Sequence, residues 1–181
     1  MKRTVSMILA LAMVLGLAAG AAAETFTTTY YTLELPDDWT GITEGMEDLG
    51  LEDAKTVAAF AAPDEVGLAV YSVVTDAAGL DNAETWNTGE EEMKAYAEQA
   101  AADLEADSTE FLGVVKAGEV SFILISATDE EGAFLYAETL TGGNTLMFFA
   151  YVVSEDGAQY PLTEEYTEEF RSILETFRPA A

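Results

Sequence analysis

Clustered carboxylates are the side chains in this sequence that could bind a metal ion. The chain has 34 Asp and Glu residues but no His and no Cys. Ca²⁺ takes several oxygen ligands, which often come from one loop. Asp129-Glu130-Glu131, in a predicted turn between two strands, is therefore the candidate calcium site. The run does not match the EF-hand pattern and a turn alone explains it, so we expect at most weak calcium binding and no other cofactor.

Two further acidic runs have structural explanations of the same kind. Asp37-Asp38 precedes Trp39, and Glu90-Glu91-Glu92 lies at the start of a predicted helix. Asp is common in turns, and acidic side chains are favoured at the positive end of a helix. Neither run is therefore a stronger metal candidate than the first.

The residue types also exclude several kinds of active site. Without His and Cys, the chain cannot form a Ser-His-Asp triad, a Cys nucleophile, a His-ligated zinc site or a redox thiol pair. Two carboxylates could hydrolyse a glycoside, but among 34 acids some pair always lies at a suitable distance. We predict that the chain is not an enzyme, with a carboxylate-type hydrolase as the weaker alternative.

The N-terminus has the layout of a signal peptide. Lys2 and Arg3 precede an apolar run over residues 8–19, and the small residues Ala21 and Ala23 lie just before Glu24. This order of basic, apolar and small residues predicts cleavage between Ala23 and Glu24. We therefore expect residues 1–23 to be removed and residues 24–181 to form one secreted or otherwise extracytoplasmic domain. No second long apolar run follows, so we expect no membrane association after cleavage.

The charge of the predicted mature chain restricts its partners. The chain has seven basic residues, and removal of Lys2 and Arg3 leaves five against 34 acidic ones, a net charge of −29. Such a charge repels phosphate backbones and anionic lipids, and it attracts cations and basic peptides. We expect no binding to nucleic acid. We interpret the acidity as a means of solubility rather than as a dedicated cation store; a salty habitat could also select it.

Hydrophobic periodicity predicts mostly strands, with two helices. One helix has Thr88 as its N-cap and Glu91 as the partner in a capping box, and the other begins near Thr163, which is its expected N-cap. A short helix is possible over residues 44–54. The predicted strands are residues 26–35, 55–61, 66–75, 110–116, 120–128, 133–141 and 145–154.

The strand patterns predict a layered fold. Residues 122–125 and 146–153 are apolar throughout, and a strand that is apolar on both sides is covered on both sides. The loops between the last four strands are short, so these strands should be antiparallel neighbours. We therefore predict an α+β fold, an α/β/α sandwich in which helices cover both faces of a largely antiparallel sheet of six to seven strands.

Two local motifs resemble the PsbP-like family, the fold of the extrinsic photosystem II subunit and of DcrB-like envelope proteins. The first is a strand that ends in Pro and then Trp, Tyr31 to Trp39, and the second is Phe-x-x-Ile-Leu-x-x-Phe over Phe170 to Phe177. The resemblance spans about residues 26–178 and implies an α/β/α sandwich. Relatives of this fold have unrelated partners, so it implies no particular activity. The last residue of each motif is aromatic, and we expect both of these residues, Trp39 and Phe177, to lie in the core.

The sequence thus predicts an exported, non-catalytic binding or scaffold protein of the cell surface or envelope. Its partner is expected to be a protein, and its oligomeric state is left open. The alternative is an exported protein that binds Ca²⁺ through clustered carboxylates.

Overall fold

A computed structural model of the chain describes residues 24–43, 54–76, 89–154 and 157–180. Within these ranges the chain forms two antiparallel sheets and two helices. The strands are β1 (Glu24–Thr27), β2 (Tyr31–Leu35), β3 (Thr40–Ile42), β4 (Lys55–Ala61), β5 (Val66–Asp76), β6 (Ser108–Ala117), β7 (Val120–Thr128), β8 (Ala133–Thr141), β9 (Asn144–Ser154) and β10 (Arg178–Pro179). The helices are α1 (Glu90–Asp103) and α2 (Glu164–Glu175). Neither of these helices is long and apolar enough to cross a membrane.

The larger sheet has seven strands in the order β3-β4-β5-β9-β8-β7-β6. Every neighbouring pair is antiparallel, which confirms that the last four strands are antiparallel neighbours as predicted. The two halves of the sheet join where β5 pairs with β9, from Val66 opposite Ser154 to Asp76 opposite Asn144. Long, apolar strands therefore lie in the middle of the sheet, and β3 and β6 lie at its edges.

The core consists of two clusters of buried side chains. Along β7, Phe122 and Leu124 belong to one cluster, and Ile123 and Ile125 belong to the other. This alternation follows from the two-residue period of a strand, and it confirms that the apolar strand is buried on both sides. Helix α1 contributes Met93, Ala97 and Ala100 to the cluster of Ile123, and α2 contributes Phe170, Ile173 and Leu174 to the cluster of Phe122.

The N-terminal strand differs from the prediction. Residues 26–35 form two strands, β1 and β2, which pair with each other in a separate three-stranded sheet with β10. The chain reverses at Thr28, whose hydroxyl accepts hydrogen bonds from the backbone N–H groups of Tyr30 and Tyr31. A threonine-stabilised turn of this kind interrupts a strand without Gly or Pro, so periodicity alone could not locate it. The short strands β3 and β10 were also not predicted.

The helix starts agree with the prediction in one case and differ in the other. The side chain of Thr163 accepts a hydrogen bond from the backbone N–H of Tyr166, so Thr163 is the N-cap of α2 as predicted. Helix α1 begins at Glu90 with Gly89 as its N-cap and no side-chain capping bond. The predicted cap, Thr88, and the predicted helix over 44–54, except for Ala54, lie outside the described residues.

Candidate functional site

The predicted calcium run forms a tight turn between β7 and β8. One carboxylate oxygen of Asp129, Oδ1, accepts hydrogen bonds from the backbone N–H of Glu131 at 2.7 Å and of Gly132 at 3.1 Å. The backbone N–H of Asp129 also donates to the carbonyl of Gly132. Asp129 therefore stabilises the turn in the manner typical of Asp.

The carboxylates of this turn are not gathered into a metal site. Among the described residues, no three Asp or Glu side chains come together at a point where they could hold a metal ion. Asp37-Asp38 lies in the turn after β2, where Asp38 has a positive φ, and Glu90-Glu91-Glu92 forms the first turn of α1. Calcium binding by Asp129, Glu130 and Glu131 thus stays a prediction, which no feature of the turn favours.

Of the predicted cleavage residues, Ala21 and Ala23 lie outside the described part, and Glu24 begins β1.

A buried carboxylate that sequence reasoning missed lies between α1 and the sheet. Glu138 of β8 is only 4% exposed. The hydroxyl of Tyr96, on α1, donates to its Oε1 at 2.7 Å, and the hydroxyl of Tyr136 donates to its Oε2. Tyr136 and Glu138 are two residues apart on one strand, so they lie on the same face of the sheet. The available signal was a single acidic residue within a mostly apolar strand.

Burial changes the proton affinity of this group. Loss of solvent raises the pKa of Glu138, and the negative charge of Asp103 raises it further, whereas the two tyrosine hydrogen bonds act in the opposite direction. Burial also raises the pKa of both tyrosines, so their hydroxyls stay protonated and able to donate. Through the hydrogen bond from Tyr96, the buried carboxylate connects α1 to the sheet.

A hollow next to the first turn is lined mostly by hydroxyl groups. Its volume is about 570 Å³, and its lining residues are Thr27, Thr28, Thr29, Tyr30, Thr43, Lys55, Thr56 and Val57. The hydroxyl of Thr28 is engaged in the turn described above. The hollow thus follows from the reversal between β1 and β2, and its polar character comes from the threonines of that segment.

A second depression, a groove, lies between α1 and β6, the edge strand of the large sheet. Its volume is about 620 Å³. Its walls combine small and apolar side chains with charged residues of α1; they are Glu90, Lys94, Ala97, Glu98, Ala101, Thr109, Phe111, Leu112, Gly113 and Ile125. Sequence analysis predicted both elements but not the groove, because the groove depends on how the helix lies across the sheet.

Comparison with known proteins bears on the fold. No family model matches the sequence, and no curated protein matches it. Among solved structures, cyanobacterial PsbP from Synechocystis sp. PCC 6803 is similar over 92% of this chain and 99% of that chain, with 13% identity and a TM-score of 0.46. A protein from Bacteroides thetaiotaomicron is 14% identical over 83% of this chain, with a TM-score of 0.36, and this chain spans 45% of that protein. The first of these structures is a PsbP protein, the family that the two sequence motifs resemble.

Proposed function

We propose that this chain is an exported, non-catalytic binding or scaffold protein that acts at the cell surface or in the envelope through contacts with another protein. The observation that supports the proposal is that the polar side chains described above make hydrogen bonds within the fold. Asp129 closes a turn, and Glu138 joins α1 to the sheet through Tyr96. These groups stabilise the fold, and an accessible feature of the described surface is the groove beside an edge strand.

Finer features of the proposal follow from the sequence. The N-terminal 23 residues serve as a cleaved signal peptide, and residues 24–181 fold as one domain. The domain is an α/β/α sandwich with one helix on each face of the large sheet, which agrees with the separate core clusters of α1 and α2. The net charge of −29 after cleavage keeps the domain soluble and disfavours nucleic acids and anionic membranes.

Export is tested at the predicted cleavage site. We expect the mature protein to begin at Glu24, and we expect Ala23→Trp to prevent cleavage, because the peptidase accepts small residues at this position. Intact-mass spectrometry of the protein recovered outside the cytoplasm measures both outcomes. Ala22→Trp is the matched control, because the middle residue of the small-x-small pattern is not read. Full-length protein retained in the cytoplasm, in the unsubstituted chain, would refute export.

A further inference from the structure

The large sheet has one long strand with an open edge. Strand β6 pairs with β7 from Ser108 opposite Thr128 to Ala117 opposite Val120. Among the described residues no strand lies on its other side, since β6 ends the strand order. An edge of this kind presents backbone N–H and C=O groups that can pair with another chain. The opposite edge strand, β3, has only three residues.

A bulge divides this edge into two parts. The pairing register shifts between Phe111 and Gly113, which leaves Leu112 without a partner on β7. The guanidinium of Arg171, on α2, donates to the carbonyl of Leu112 at 3.4 Å. Gly113 has a φ of 113°, a conformation that favours glycine. A bulge bends the strand at this point. On its N-terminal side, Ser108–Phe111 forms a regular stretch of strand that is largely exposed.

The groove lies beside this regular part of the edge. Thr109 and Phe111 are two residues apart on β6, so they lie on the same face of the strand, and both line the groove. On the helix side, the small residues Ala97 and Ala101 are four residues apart, so they lie on the same face of α1 and both line the groove. A strand added to β6 would place every second side chain in this groove. Addition of a strand beside such a groove is a known mode of peptide recognition.

The charges around the groove favour a cationic partner. Glu90 and Glu98 line the groove with one basic residue, Lys94. Glu110, between Thr109 and Phe111, is exposed on the opposite face of the edge strand. The surrounding domain has a large negative charge, which attracts a basic chain and repels an acidic one. We propose that the edge of β6 and the groove under α1 bind an extended segment of a partner protein in which apolar and basic residues alternate. This inference rests on the proposed function, because it specifies the partner and the surface used.

The probe for this proposal is a short synthetic peptide of alternating lysine and valine. We expect the peptide to shift the backbone NMR signals of Ser108–Phe111 and to slow their amide exchange, because these residues gain strand partners. Two matched peptides serve as controls. A glutamate–valine peptide should not bind, because its charge is repelled, and a lysine–valine peptide with N-methylated amides should not bind, because its backbone donors are missing.

Substitutions on α1 localise the binding. Ala101→Phe should weaken binding at least about tenfold by filling the groove, whereas Ala102→Phe, at the exposed neighbouring position, should leave it unchanged. Glu98→Lys, a substitution at an exposed site that need not disturb folding, should also weaken binding of the lysine–valine peptide, because it replaces a negative charge of the groove with a positive one. The proposal would be overturned if the N-methylated peptide bound as tightly as the lysine–valine peptide, or if both phenylalanine variants lost the same affinity. It would also be overturned if the peptide shifted NMR signals over the whole acidic surface. An exported chain that contacts its partner through another surface would overturn this inference alone, whereas a chain that is not exported would overturn the proposed function.

Discussion

Replacement of Phe177 with alanine is expected to lower the free energy of unfolding by about 3–5 kcal/mol. The side chain is fully buried. Its ring centroid lies 5.1 Å from that of Phe122 in an edge-on arrangement and 5.5 Å from that of Tyr31. Removal of the ring therefore leaves a cavity where β2, the large sheet and the end of α2 meet. Urea unfolding of the purified protein measures the loss.

The control for this prediction is an exposed aromatic residue. Tyr160 is 42% exposed, so Tyr160→Ala should change the free energy of unfolding by about 0.5 kcal/mol or less. A similarly small change in Phe177→Ala would show that the terminal helix motif does not pack in the core. Because that motif is half of the PsbP-like resemblance, such a result would also contradict the fold described above.

Glu138→Gln is expected to increase stability at neutral pH relative to the unsubstituted protein. Because burial raises the pKa of Glu138, the folded protein binds a proton there more tightly than the unfolded chain. The associated stability is fully present below the unfolded pKa, about 4.3, and is lost as the pH rises through the folded pKa. The loss is about 1.4 kcal/mol for each pH unit between the two pKa values. Glutamine removes this loss, and it can still accept a hydrogen bond from Tyr96.

Unfolding of both proteins across the pH range from about 4 to 8 measures this difference. The advantage of the glutamine variant should grow with pH and vanish near pH 4. Glu110→Gln is the matched control, because it removes the same charge from an exposed position and corrects for the change in net charge. A stability difference between the variant and the unsubstituted protein that does not depend on pH would show that Glu138 is not held in a buried site.

Local sequence patterns predicted most of the fold. The meander of β6 to β9 follows from apolar runs separated by short turns that contain Gly, as in Thr141-Gly142-Gly143-Asn144. Thr163 was found as an N-cap because a threonine followed by acidic residues is a strong local signal. The division of the first strand at Thr28 was missed, since a threonine hydroxyl can reverse the chain without any change in hydrophobic pattern.

The candidate sites were less accessible to sequence reasoning. The role of Asp129 in a turn could be predicted because its bonds reach only to Glu131 and Gly132. The contact between Tyr96 and Glu138 joins residues 42 positions apart, and no local pattern contains it. The groove likewise needs the placement of α1 against β6, which depends on the packing of the whole sheet.

The central claim, that the exported domain binds a protein partner through the edge of β6, is tested most directly in intact cells of the native host. A photoreactive amino acid would replace Glu110 on the edge strand and, as a control, Glu175 of α2, which is also exposed. We expect illumination to produce a discrete cross-linked protein adduct from position 110 and none from position 175. No adduct from position 110, in cells where the chain that begins at Glu24 accumulates outside the cytoplasm, would contradict the account.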